Sequence, residues 1–316
     1  MKNNLLIKNF ITKRFYNTKK KNKNVKISLK LLEYISKNIH KEKNIFHLFN
    51  KKYELDFILK SLKKFKNFKT IIVIGMGGST LGIKAFHSFL KLKVKKEVLF
   101  LDNLNSFRLK ELSKIIDRKK IFFIIISKSG NTLETLTNKN FFKNKISQNN
   151  SIVITEKGNS KLNKFSKDKK ILHIKHKKYI GGRYSVLSET GMVPAYLMGL
   201  KIKKFRENLS KYFKNNFKKF LCESSSIIAQ NYLSKKINSI IFFNYCPRLN
   251  NFVYWSQQLM AESLGKNGKG ILPVLSEAPK DHHSLLQLYL DGPKDKIFYI
   301  ISAEDRLNKK IDKIVK

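Results

Sequence analysis

The chain has 316 residues, with 66 Lys+Arg against 22 Asp+Glu, a formal net charge of +44 and 42% hydrophobic residues. That length allows one large domain or two of about 150 residues, each with a proper core, and the apolar content excludes intrinsic disorder. The longest apolar runs, such as Ile121–Ile126, fall far short of the ~18 residues a membrane span requires.

The first segment, Met1–Lys26, is rich in lysine but has no continuous apolar core and no small-residue cleavage site. It therefore does not read as a secretory signal. A mitochondrial presequence is harder to dismiss, although such segments favour Arg and Ser over the Lys and Asn found here. Leu31, Leu32, Ile35 and Ile39 then recur at helical spacing, as do Phe57, Ile58, Leu62 and Phe65. From Thr70 the pattern changes. Ile71–Ile74 is a β-branched run ending at Gly75, followed by a helix carrying Leu81, Ile83 and Phe86. Val98–Leu101, Ile121–Ile126 and Ser151–Thr155 read as further strands separated by polar loops and helices. Strands alternating with helices predict a mostly parallel sheet covered on both faces.

After Gly182 a helical stretch covers Val193–Leu200, and the basic helical segment Phe205–Leu221 reads as a linker. Ser239–Asn244 restarts the strand–helix series, and Ile297–Ile301 is a further strand. The expected organisation is a helical segment over 1–69, a first α/β domain over 70–205 and a second over 206–316. The second is expected to be incomplete, since one strand and a short amphipathic tail lead straight to Lys316. Cys222 and Cys246 form neither a disulfide framework nor a metal-ligand pair, which fits a reducing cytoplasm.

The net charge raises the question of nucleic acid, because clustered Lys and Arg release counterions from a phosphate backbone. Here the lysines are spread through nearly every block of the sequence, and no RRM, KH or helix-turn-helix pattern accompanies them. The dense runs Lys19–Lys23 and Lys60–Lys69 read as solvated faces. No specific nucleic-acid partner is expected.

Five segments carry chemistry. The run Val73–Gly82 (VIGMGGSTLG) joins a strand to a helix, where glycines permit close backbone approach and a helix start offers N–H groups to an anion. Counting G-x-G-x-x-G from Gly75 puts Thr80 at the third glycine, and counting a Walker loop from Gly77 reaches Ile83 instead of lysine. Ser127–Thr135 (SKSGNTLET) places hydroxyls, a lysine and a glycine at a helix start, which suits the terminal oxygens of a small phosphomonoester. The plainer reading is an N-cap at Ser129 or Asn131, with Glu134 completing a capping box.

Gly181–Ser188 (GGRYSVLS) sets Arg183 behind a glycine pair, so that a guanidinium can face developing negative charge. Trp255–Lys266 (WSQQLMAESLGK) puts Gln258 and Glu262 on one helical face and ends at Gly265; Glu262 is either a proton-transfer base or the partner of Lys266. Asp281–Gln287 (DHHSLLQ) offers paired imidazoles for acid–base work but makes a poor metal site.

In this order the segments resemble the phosphoglucose isomerase family, over roughly three-quarters of the chain from Thr70 to Asp305. The resemblance implies two flavodoxin-like, doubly wound parallel-sheet domains of the sugar-isomerase fold, the second apparently truncated. It implies reversible interconversion of glucose 6-phosphate and fructose 6-phosphate in a homodimer, with no metal or organic cofactor. Gly78, Ser79 and Gly182 would contact substrate. Ser127, Lys128, Ser129 and Thr132 would form the phosphate loop, with Ser129 standing where threonine is usual. Arg183 would face the reacting carbons and Glu262 would be the catalytic base. His283, reaching in from the neighbouring subunit, would open the sugar ring, oriented by Glu134.

Two departures accompany the match. His282 stands where bacterial relatives carry glutamine, and the family's C-terminal helix, with its ring-opening lysine, has no counterpart here. The competing readings are a non-catalytic sugar-phosphate-binding module, a nicotinamide-dependent dehydrogenase using Asp102, and a basic nucleic-acid binder.

Overall fold

The structure is a computed structural model that describes residues 7–303 apart from residue 119. It begins with helix α1 (Thr18–Asn38), capped by the Asn17 side chain, which accepts the Lys20 N–H, and continues through the short α2 (Leu59–Lys63). Strand and helix then alternate. β1 (Thr70–Ile74), α3 (Leu81–Phe89), β2 (Glu97–Leu101), α4 (Ser106–Arg118) and β3 (Ile121–Ile126) come first. They are followed by α5 (Leu133–Phe141), β4 (Ser151–Thr155), α6 (Lys161–Asp168) and β5 (Leu172–Lys175). Helices α7 (Glu189–Leu197), α8 (Ile202–Arg206) and α9 (Asn215–Leu233) lead to the second series. That series is β6 (Ser239–Asn244), α10 (Asn250–Leu264), β7 (Leu272–Glu277), α11 (Leu286–Asp291) and β8 (Lys296–Ile301).

The first sheet is parallel, in the order β2-β1-β3-β4-β5. Alternate residues of its apolar strands feed two separate cores. Ile71, Val73, Phe122, Ile124 and Ile126 pack with Ile83 of α3 and with Met192 and Val193 of α7. Ile72, Ile74, Phe123 and Ile125 pack on the other face with Leu112 of α4, Leu136 of α5 and Leu162 of α6. Every residue of β3 is buried, and each such side chain contributes about 1.5–3 kcal/mol by leaving water. The expected two-sided α/β sheet is what forms.

The second sheet is also parallel, in the order β7-β6-β8 among the described residues. β8 occupies the topological position of β3, yet its Phe298 and Ile300 are exposed. β5 and β7 were not legible as strands. Both lie at sheet edges, where β5 mixes His173 and Lys175 with its apolar residues and β7 carries Pro273, which an edge strand tolerates. The segment read as a helical linker is largely helical: it holds the end of α8, a 3-10 turn over Leu209–Phe213 and the start of α9. α9 lies along α1, joined by Ser28 to Ser225 at 3.2 Å and by Lys21 to Glu223 at 3.5 Å.

A buried carboxylate ties the N-terminal segment to the first sheet's domain. Glu189, at the start of α7 and wholly buried, accepts the Asp56 N–H at 2.9 Å and the Tyr53 hydroxyl at 3.2 Å, and it pairs with Lys177 at 3.3 Å. Arg206 lies over the Tyr53 ring and donates to the carbonyls of Leu48 and Leu187. Removing one partner of such a set leaves an uncompensated charge, which is why it must form complete.

His176, just beyond β5, is buried, and its Nδ1–H donates to the Lys177 carbonyl. Burial pushes this imidazole down to about 4 from an ordinary 6.5, with the Lys128 charge acting in the same direction. The unfolded chain binds the proton first, so stability falls as pH drops from 6.5 towards 4, by up to about 3 kcal/mol. Urea-unfolding midpoints at neutral pH and in this acid window should show that decline. The His176→Gln variant should lose this part of it.

Candidate active site

The first sheet reverses its winding direction between β1 and β3, so a crevice opens beyond their C-terminal ends, where α/β sheets bind ligands. The glycine turn follows β1 and the hydroxyl turn follows β3. The two are pressed together: a Cβ on Gly75 would lie 2.9 Å from the Ile126 carbonyl oxygen.

Gly77–Ser79 form a single 3-10 turn, with Gly77 at φ +50° and Ser79 buried. A Cβ on Gly78 would sit 2.3 Å from the carbonyl carbon of Gly182, so the two glycine segments touch backbone to backbone. Gly78 could not carry a side chain at that contact and keep its neighbour in place, whereas a Cβ on Gly182 would point into open space. On the other side of the turn, a Cβ on Gly77 would lie 2.9 Å from Gln258 Nε2. The first, third and fourth motifs therefore meet at Gly77 and Gly78.

Arg183 is the second residue of the 3-10 segment Gly182–Leu187 and reaches α10. Its Nη1 donates to Glu262 Oε2 at 3.0 Å and its Nε to Ser263 Oγ at 3.0 Å. Its main-chain carbonyl accepts the Trp255 indole N–H at 2.9 Å. The other carboxylate oxygen, Oε1, accepts from Gln258 Nε2 at 2.9 Å, one helical turn away as the spacing predicts. Glu262 thus pairs with Arg183, not with Lys266, and Gly265 follows the last residue of α10. Burial works against the Arg183 charge, but hydrogen bonds and charges from Tyr184 and Glu262 outweigh it and hold the guanidinium above its usual range. The pair is accessible from the crevice, with 49% of the Glu262 side chain exposed.

In the hydroxyl turn, Ser127 Oγ lies 2.9 Å from Thr132 Oγ1 and accepts the Gly130 N–H at 3.1 Å. Gly130 has φ +69° and leaves no room for a Cβ beside Ser160 and Thr155. The cap expected at Ser129 or Asn131 is not there. Thr132 holds the N-cap position of α5 and makes no side-chain cap, because its hydroxyl faces Ser127. Asn131 instead accepts from the Lys161 N–H, Ser129 accepts from the Asn131 N–H, and Glu134 completes no capping box. Lys128 turns towards the 176–178 segment, donating to the Lys178 carbonyl at 2.9 Å and lying 3.6 Å from Glu156.

The histidines separate clearly. His282 Nε2 is 2.9 Å from the Tyr245 hydroxyl, and the ring packs on Phe243 and Tyr245. His283 is exposed, and no hydrogen bond of its ring occurs among the described residues. Asp281 fixes this turn by accepting from the Glu277 N–H and from Ser276 and Ser284. Although burial raises its carboxyl, those hydrogen bonds bring it below the usual carboxylate range. Within one chain Glu134 and His283 are not brought into contact.

Residues 59–273, more than half of the chain, match the family model described as phosphoglucose isomerase. The chain belongs to that family. It is 34% identical over 270 residues to the glucose-6-phosphate isomerase of Methanocaldococcus jannaschii, covering 80% of this chain and 65% of the relative. It is also 34% identical over 254 residues to that of Mycoplasmopsis synoviae, covering 75% of this chain and 59% of the relative. The chain thus spans about three-fifths of the length of these curated relatives. Among solved structures, a hypothetical protein from Thermus thermophilus superposes with TM-score 0.72 at 21% identity, over 95% of this chain and 79% of that one. A glucose-6-phosphate isomerase from Chlamydia trachomatis does so with TM-score 0.63 at 19% identity, over 98% and 61%. Both share the fold.

The dehydrogenase alternative loses its acidic residue. Asp102, at the end of β2, is taken up by Lys84 of α3 at 2.8 Å. Sequence reasoning missed Ser263, Tyr184 and Trp255, which hold Arg183 on three sides. A serine next to a singled-out glutamate was the one available signal, and nothing in its spacing pointed to an arginine 80 residues away.

Proposed function

We propose that this chain carries the aldose–ketose isomerase chemistry of its family, interconverting glucose 6-phosphate and fructose 6-phosphate through a cis-enediol. That reaction serves glycolysis and gluconeogenesis in the cytoplasm. The observation that carries the reading is the Glu262–Arg183 pair at 3.0 Å, held against the glycine turn at the mouth of the crevice.

The hydroxyl turn of Ser127, Ser129 and Thr132 holds the phosphate and so sets the sugar carbons beside Glu262. Lys128 supplies positive charge at its edge. Glu262 takes the C2 proton of the aldose and returns it to C1, a role that contributes about 10²–10⁴-fold. Arg183 faces the oxygen that becomes negative. Gly78, Ser79 and Gly182 let the backbone approach the sugar closely. The exposed His283, free beside an anchored His282, suits a group offered across a homodimer to a second copy, where Glu134 would orient it for ring opening. No helix of the described residues is long and apolar enough to cross a membrane. We assign residues 1–69 to a helical segment, 70–205 to the phosphate-binding domain and 206–316 to the domain bearing Glu262 and His283.

The test is to incubate the protein with fructose 6-phosphate in deuterated water. Glucose 6-phosphate should form and carry deuterium at C2. Saturable binding without product or exchange would instead make the chain a sugar-phosphate-binding module.

A further inference from the structure

We propose that Ser263 is a positioning residue that keeps the Arg183 guanidinium in place while its carboxylate partner changes charge. The inference rests on the isomerase reading above and deepens it.

The guanidinium is gripped at two edges by consecutive residues of one helix. Nη1 donates to Glu262 Oε2 and Nε to Ser263 Oγ, both at 3.0 Å. Ser263 Oγ is itself 2.6 Å from the Tyr184 hydroxyl, and the Tyr184 ring lies 4.5 Å below the guanidinium carbon. Two anchors on a planar fork fix both its position and its plane, which one anchor does not. Among the described residues Nη2 makes no hydrogen bond, so the fork keeps donors for a ligand oxygen.

The two anchors behave differently during the reaction. When Glu262 takes the C2 proton it becomes neutral, and its hold on Arg183 weakens. That is also the moment at which the enediolate carries most negative charge. An arginine held only by Glu262 would regain its side-chain freedom when its position matters most. Ser263 does not titrate in this range, and its lone pair continues to accept the Nε–H through the proton transfer. Tyr184 strengthens the arrangement. Burial raises its phenol, but the Ser263 hydrogen bond and the Arg183 and Lys266 charges outweigh this and bring it below its ordinary value, so its oxygen tolerates the nearby cation.

The test compares Ser263→Thr with Ser263→Val, which match in shape and differ in the hydroxyl. Calorimetry measures binding of fructose 6-phosphate and of a phosphorylated five-carbon sugar acid, whose carboxylate stands in for the enediolate. Ser263→Thr should match the wild type in both. Ser263→Val should bind fructose 6-phosphate within about twofold but the sugar acid about tenfold more weakly, with kcat down about tenfold and KM little changed, the size expected for one charge-assisted hydrogen bond. Equal sugar-acid affinity for the two variants would overturn the role of Ser263. A wild-type chain that binds neither compound would overturn the isomerase reading beneath it.

Discussion

Glu262→Gln should reduce isomerisation by about 10²–10⁴-fold while leaving fructose 6-phosphate affinity within a few-fold of wild type. The substitution keeps the length of the side chain and leaves an oxygen able to accept from Arg183 or from Gln258, which hold the carboxylate at 3.0 and 2.9 Å. The local packing is therefore retained and only the proton acceptor is lost. An amide cannot take the C2 proton, so kcat and deuterium exchange should fall together. The measurement is turnover in a coupled assay, alongside calorimetric affinity. Near-normal turnover would remove Glu262 from the mechanism.

Arg183→Met should lower kcat by about 10²–10³-fold, the range found when one preorganised donor to a developing oxyanion is removed. Methionine approximates the aliphatic stem, so the packing of the Gly182–Leu187 segment should survive, helped by the main-chain bond from Trp255. What disappears is the cation 3.0 Å from Glu262 and its interaction with the Tyr184 ring. The phosphorylated sugar acid should lose affinity in proportion to kcat, since its carboxylate occupies the position of the enediolate, whereas fructose 6-phosphate should lose much less. Equal losses for both ligands would mean that Arg183 binds the ground state and contributes nothing specific to the transition state.

The two substitutions probe opposite charges of one pair, so their effects should not add. With Glu262 already replaced, further loss of Arg183 should cost less than it does alone, because no enediolate forms for it to stabilise. The glycine turn sets the limit on rearrangement here. With Gly78 in backbone contact with Gly182, the Arg183 main chain cannot withdraw without separating the two segments, and a flexible side chain is thereby given a fixed base.

The α/β architecture and the chemistry-bearing segments are legible along the chain, because both depend on local order. The uninterrupted apolar run Ile121–Ile126 can only be a strand buried on both faces. Gln258 and Glu262, four residues apart, must share a helical face. The hydroxyl-rich turn and the Gly-Gly-Arg segment were recognisable as contiguous residue types. Strands β5 and β7 were not, since His173 and Lys175 interrupt the apolar residues of the one and Pro273, Ser276 and Glu277 those of the other, which leaves too weak a pattern to read.

The partners, by contrast, follow from how the chain packs. Whether Glu262 pairs with Lys266 or with Arg183 depends on the glycine turn lying against both Gly182 and Gln258. Whether Ser129 caps a helix depends on where the Thr132 hydroxyl turns. That α9 continues the fold and does not merely link two domains depends on α1, which precedes it by almost 200 residues. In each case the deciding contact joins segments far apart along the chain. Their encounter follows from summed burial over the whole sheet, which no local window of residues contains.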